Sequence, residues 1–235
     1  MERDLVINGH ASAAGGRFKK VSVNGRGVVE GDVECDTFDC NGWGVFRGKV
    51  KTETLIVNGY AELNDRVEAG KVTVNGKARI GENLTARDVE ISGDGKIGGT
   101  VTGEEVRIRG RVTIGGDCEA ESVQGGGQFR IGGLLNAETI DLDVHGKSQA
   151  GEIGGKRIVI RHEKHGWMKM MKTLFPVKLT VETIEGDDVS LEYTSAKVVR
   201  GQRVRIGKGC AIDLVEYGET LDVDEGANVK NDRKS

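Results

Sequence analysis

The chain has one proline in 235 residues, and aromatic side chains make up only 4% of it. With proline nearly absent, almost every backbone N–H stays available as a donor. That excludes proline-rich spacers and argues against long irregular loops. So few rings mean that any core must be aliphatic. The opening residues, Met1 to Asp4, are mostly charged and no apolar run of roughly 7–15 residues follows them, so neither a signal peptide nor a spanning helix is expected. Charge of either sign is scarce in net terms: 34 Lys and Arg face 37 Asp and Glu, a balance of −3. Without a basic field, no nucleic-acid partner is expected. The four cysteines, at 35, 40, 118 and 210, show no C-x-x-C spacing. They suit a reducing cytoplasm and small buried positions better than a metal centre.

What the chain does have is glycine, 37 residues of it, in a background that is 37% hydrophobic. Gly-rich disordered linkers are poor in aliphatics, and this chain is not. Glycines at 25, 42, 59, 76, 93, 110 and 127 recur every 17 residues, after segments such as V-S-V-N-G, L-I-V-N-G, V-T-V-N-G and V-E-I-S-G. Blocks of 17 starting at Val21 bring the columns into register. Column one holds Val21, Phe38, Leu55, Val72, Val89, Val106 and Val123; column nine holds Val29, Phe46, Leu63, Ile80, Ile97, Ile114 and Ile131. Column thirteen holds Val33, Val50, Val67, Leu84, Val101, Cys118 and Leu135.

In each block the apolar columns fall in pairs two residues apart, the spacing that sends side chains to one face of a strand. Three short strands and three corners per block predict one triangular coil. A single coil cannot bury its own edges, but coils stacked about 4.8 Å apart bury a continuous aliphatic column. The fold expected is all-β, a parallel β-helix of three faces; the crossover rule favours right-handed connections, but short-coil β-helices of both hands exist. Asn24, Asn41, Asn58 and Asn75 should stack as an amide ladder that ends where Ser92 replaces Asn, and the glycine after each Asn is expected to supply a left-handed turn conformation.

The expected organisation is β-helix coils over 1–161, an insert over 162–178, coils continuing the same rod over 179–229, and a tail over 230–235. Roughly twelve coils would make a rod of about 50–60 Å.

Successive V-x-V-N-G turns in a 17-residue coil, with aliphatic pairs on three faces and a charged exterior, resemble the bactofilins, polymer-forming bacterial cytoskeletal proteins. The resemblance covers residues 5 to 161. Ala196 to Tyr217, A-K-V-V-R-G-Q-R-V-R-I-G-K-G-C-A-I-D-L-V-E-Y, is similar to the C-terminal part of longer bactofilins of Gram-positive rods. It implies a right-handed β-helix, nucleotide-free assembly into filaments, and a role in cell shape, motility or flagellar assembly. The partners it implies are the chain itself as a homopolymer and a paralogous bactofilin. This chain departs from the family in lacking flexible, Pro-containing tails and in carrying the insert.

Chemistry-bearing motifs dissolve into the repeat. Gly93, Gly95 and Gly98 spell G-x-G-x-x-G, but they fall on repeat columns, not between a strand and a helix, so no cofactor is expected. Glu30, Asp32, Glu34 and Asp36 alternate with inward residues and read as a solvated face. His162 and His165 lack a H-E-x-x-H order and a nearby third ligand, so a surface reading is preferred to a metal site. No catalytic residue and no small-molecule substrate is expected. A left-handed β-helix acyltransferase-like enzyme is the alternative, and it calls for a strict six-residue repeat that this chain lacks.

The insert alone has a different composition, with the only proline and three of the four methionines. On a helical projection Trp167, Met168, Met170, Met171, Leu174 and Phe175 share one arc, opposite Lys169, Lys172 and Thr173, which predicts a short amphipathic helix stopped at Pro176. It either docks on protein or makes a peripheral membrane contact, with Trp167, Met168, Met171, Lys172, Leu174 and Phe175 as the contact residues.

A solenoid with no capping helix presents an apolar cross-section and unpaired backbone groups at its ends. Stacking of such ends is expected to involve Leu5, Ile7, Phe18 and Val21 at one end and Leu214, Val215, Leu221 and Val223 at the other.

Overall fold

A computed structural model describes residues 3–162 and 178–235. The chain divides into two compact units, Met1–Gly116 and Asp117–Ser235. Each is a parallel β-solenoid, and the described residues contain no helix.

In the first unit the sequence columns become backbone ladders. Along one face Leu5 lies beside Val21, followed in turn by Phe38, Leu55, Val72, Val89 and Val106. A second face stacks Val29, Phe46, Leu63, Ile80, Ile97 and Ile114. The third stacks Val33, Val50, Val67, Leu84 and Val101. Apart from Leu5, every one of these side chains is at most 4% exposed. Burying each such aliphatic is worth roughly 1.5–3 kcal/mol, so the three columns contribute heavily to holding the coils together. The alternation is visible in single strands: in Val50–Val57 the side chains of Val50, Thr52, Leu55 and Val57 are buried while Lys51 and Glu53 face solvent, the inward parity changing at the corner near Thr54.

The second unit repeats the plan with less regular coils. Val123, Ile140, Ile158, Val189, Val204 and Leu221 form one ladder, and Cys118, Leu135, Ile153, Ile184, Val199 and Val215 another. The strand Glu152–Arg161 completes one face, and the next face resumes at Lys178, which lies beside Lys147. The predicted helix, with Trp167, Met168, Met171, Lys172, Leu174 and Phe175, lies outside the described residues.

The corner glycines are needed for a reason other than the one expected. None of Gly25, Gly42, Gly59, Gly76, Gly93 or Gly110 has positive φ; among the described residues the glycines that do are Gly16, Gly31, Gly125, Gly146 and Gly209. What the corners require is close approach. A Cβ at Gly42, Gly59 or Gly76 would stand 2.1 Å from the carbonyl oxygen of the corner glycine one coil earlier. That oxygen is already engaged: Gly42 O accepts from Tyr60 N at 2.8 Å and Gly25 O from Trp43 N at 2.8 Å. Beside them runs the amide ladder. Asn24, Asn41, Asn58 and Asn75 each donate Nδ2 to the Oδ1 of the Asn one coil earlier, at 2.9, 3.0, 2.8 and 2.8 Å, beginning on Asn8.

A second correction concerns the C-terminus. Residues 230–235 are not a tail: a strand spans Asn228–Lys234 and pairs with Ala211–Tyr217. Pairing uses backbone groups, so it does not require apolar side chains, and the polar side chains here find partners across the pair. Lys230 Nζ meets Asp213 Oδ1 at 2.8 Å, and Arg233 pairs with Glu216.

Candidate polymerisation surfaces

The coil at the N-terminal end of the first unit is short. Its strand Leu5–Ile7 pairs with Val21–Val23 through one edge, and the other edge has no described partner. Ile7, Phe18 and Val21 are buried, at 3%, 4% and 0% exposure, so of the four residues expected at this end only Leu5 keeps part of its surface open. Arg3 lies over the Phe18 ring, its Cζ 5.8 Å from the centroid, which covers the phenyl further. The side chain offered to solvent is Val6, 52% exposed. Column reasoning passed over it because Val6 alternates with the inward pair; an apolar residue on an outward column was the available signal.

At the C-terminal end of the second unit, Val215 is fully buried and Leu214 half-buried, because Asp232 and Asn231 of the last strand lie beside them. Leu221 is half-buried and Val223 is 43% exposed, and the Thr220–Val223 stretch has no described partner on its outer edge. Val6 and Val223 are the two exposed large hydrophobics among the described residues.

The last strand is held by an electrostatic cluster. Glu216, with only 9% of its side chain exposed, accepts from Arg200 Nε at 2.6 Å and pairs with Arg233. The Arg200 hydrogen bond, aided by the nearby Arg233 charge, holds the Glu216 carboxyl below the usual carboxylate range. A carboxyl with a depressed folded-state pKa stabilises the fold above its unfolded pKa, and that contribution is lost as pH falls through the folded value. Acidification below the ordinary carboxylate range should therefore loosen the Asn228–Lys234 strand before the rest of the unit. Glu216→Gln should loosen it at neutral pH. Hydrogen exchange of the amides in 228–234 measures both effects, and protection unchanged in acid and in the variant would refute them.

The remaining candidates occupy structural positions. Cys35, Cys40, Cys118 and Cys210 are buried and unpaired. Burial pushes the thiols of Cys40 and Cys210 up to about 11 and that of Cys118 up to about 12, and raises Cys35 as well. Protonated at neutral pH, they are poor nucleophiles and poor ligands. Gly93 and Gly98 sit where a Cβ would strike Gly76 O at 1.9 Å and Gly81 O at 2.1 Å, and Gly95 lies within the strand Asp94–Ile97, so the G-x-G-x-x-G motif packs coils. Glu30, Asp32, Glu34 and Asp36 are exposed; Glu30 and Glu34 pair with Arg47 and Arg17 at 3.0 and 2.9 Å. His162 differs from the surface residue expected: its side chain is only 12% exposed.

Stacked coils with aliphatic interiors and open strand edges at their extremes define a structural repeat protein of the parallel β-solenoid class. A family model described as "Bactofilin: Polymer-forming cytoskeletal" matches residues 43–119. The uncharacterized protein YhbE of Bacillus subtilis (strain 168) is 56% identical over 231 residues, 98% of this chain and 97% of YhbE. A second uncharacterized protein of that organism, YhbF, is 37% identical over 90 residues, 38% of this chain and 36% of YhbF. No solved structure matches. The chain belongs to the bactofilin family, and is a cytoskeletal scaffold protein, not an enzyme. Among the described residues no helix is long and apolar enough to cross a membrane.

Proposed function

We propose that the protein assembles end to end into cytoplasmic filaments without nucleotide, each solenoid extended by the terminal coil of the next, and that the filament serves as a scaffold in cell shape, motility or flagellar assembly. The observation that carries this reading is the placement of the exposed large hydrophobics, Val6 at 52% and Val223 at 43%, on strands with an open edge. An unpaired edge invites backbone pairing with another copy, and an apolar patch beside it adds the drive to exclude water. The contact set is Leu5, Ile7, Phe18 and Val21 at one end and Leu214, Val215, Leu221 and Val223 at the other, the buried members shaping the coils that Val6, Leu5, Leu221 and Val223 present. A paralogous chain with the same coil cross-section could enter the same polymer. YhbE and YhbF occur in one organism, which makes such a pairing available to relatives.

The test is negative-stain electron microscopy of the purified protein in nucleotide-free buffer. Filaments with subunits in a single row are expected, and a protein that stays monomeric at high concentration would refute the reading.

A peripheral membrane contact through residues 162–178 is the accompanying proposal, resting on the Trp, Met and Lys composition of that segment. One such segment binds weakly, but a filament presents many copies. Filaments should float with anionic liposomes in a density gradient, and deletion of 162–178 should abolish flotation while leaving filaments intact. Equal flotation of the deletion variant would exclude the segment.

A further inference from the structure

A cluster of titratable side chains in the second unit stands at one corner of two successive coils. The strand Leu134–Val144 is followed at once by His145, and the strand Glu152–Arg161, which pairs with it, is followed at once by His162. Asp143 lies opposite Arg161. Both histidines therefore stand at the same corner of successive coils, with Asp143 beside them.

The geometry is convergent. His145 Nε2 is 3.5 Å from Asp143 Oδ2, and His162 Nδ1 is 3.9 Å from Asp143 Oδ1. One donor atom from each of the three residues lies within 4.8 Å of the other two. The side chains of His162 and Asp143 are 12% and 17% exposed, and that of His145 is 39% exposed, so the cluster opens to solvent on one side. Neighbouring groups position the rings. The Tyr193 ring meets His162 edge-on at 5.3 Å, and Val144 O is 3.0 Å from His162 Nδ1, a hydrogen bond that this nitrogen gives up, with its proton, when it is the one that binds an ion. A Cβ at Gly126 would stand 3.3 Å from His145 Nε2, so the missing side chain there keeps room beside the imidazole.

We propose that Asp143, His145 and His162 bind a divalent transition-metal ion, with zinc the best match. Two imidazole nitrogens and one carboxylate oxygen form a borderline donor set that suits zinc or cobalt, whereas calcium and magnesium want oxygen ligands throughout. With metal–nitrogen distances of about 2.0–2.1 Å, the ligand atoms of a tetrahedral shell stand roughly 3.3 Å apart. The Asp143–His145 separation of 3.5 Å nearly meets this, and side-chain rotation closes the rest, from 3.9 Å between Asp143 and His162 and from within 4.8 Å for every pair. A fourth position faces solvent and takes water. The ion would clasp two successive coils at the corner that follows the strands Leu134–Val144 and Glu152–Arg161.

The test uses the full-length protein, stripped with chelator, dialysed and titrated with Co²⁺ as the spectroscopic probe and with Zn²⁺ by calorimetry. One equivalent of Co²⁺ should produce visible d–d absorption, and one equivalent of Zn²⁺ should abolish it. Zn²⁺ should also raise the melting temperature. His145→Ala, at the most exposed of the three positions, and His162→Ala should each weaken Zn²⁺ binding at least 100-fold, with circular dichroism verifying that the solenoid persists. Should His162→Ala fail to fold, His145→Ala and Asp143→Asn decide. Absence of stoichiometric binding overturns the proposal, as does binding that survives unchanged in the folded variants, since the ion would then sit elsewhere.

Discussion

Protein carrying Val223→Arg should fold as the parent does and stay monomeric where the parent forms filaments. Val223 is 43% exposed and lies on a stretch with no described outer partner, so the guanidinium reaches water in the monomer. A substitution of this kind usually shifts stability by less than about 0.5 kcal/mol. In a stacked filament the same position would face the next coil, and an unpaired charge held there costs roughly 3–5 kcal/mol. At about 1.4 kcal/mol per tenfold, the concentration needed for assembly rises by at least two orders of magnitude. Val6→Arg, at the other exposed valine, should behave alike. Glu121→Arg, on an exposed outward column, should leave filaments intact. Sedimentation and negative-stain microscopy separate the outcomes. Filaments unchanged in both valine variants would place the contact on the lateral faces and refute end stacking.

The coil was legible because its rule is simple and repeated: two inward aliphatics per face every 17 residues leave one packing arrangement that buries them all. Where the sequence reading fell short, the missing information was three-dimensional. A glycine in a column shows that a side chain is not tolerated, without showing whether φ or crowding forbids it; at Gly42 and Gly59 it is crowding. The charged residues after Val229 have no hydrophobic signature, yet Lys230 and Arg233 find carboxylates across a backbone-paired strand. Val6 was obscured because it sits outside the inward pattern, whereas Val223, expected at the C-terminal end, lies inside that pattern and is 43% exposed. His162 was judged by helical spacing, whereas in a solenoid a neighbour is one coil away, where Asp143 and His145 stand.

Gly59→Ala should be among the most damaging single-methyl changes in the protein. Its Cβ would lie 2.1 Å from Gly42 O, 2.4 Å from Asn41 O and 2.7 Å from Asn41 C. All three are backbone atoms, so no side chain can rotate away. The coils would have to separate at that corner, and separation strains the Tyr60 N–H bond to Gly42 O and the Asn58–Asn41 amide bond, both 2.8 Å. Since φ at Gly59 is not positive, none of the cost is conformational preference for glycine. Overpacking against an unyielding neighbour costs roughly 3 kcal/mol or more, which in a chain of this size lowers the melting temperature by about 6–12 °C. Gly9 is the control that the fold itself supplies. It occupies the same corner of the first coil, and a Cβ there meets nothing within 4 Å. Gly9→Ala should therefore leave the monomer's melting temperature within about 2 °C of the parent. If coils of successive subunits stack in solenoid register, however, the corner of another copy arrives at the distance that Gly42 keeps from Gly59, and the added methyl meets a backbone carbonyl. The variant should then be as stable as the parent yet fail to polymerise. Gly9→Ala that forms filaments as readily as the parent would mean that the subunits do not continue one another's coils at this corner, whatever else joins them.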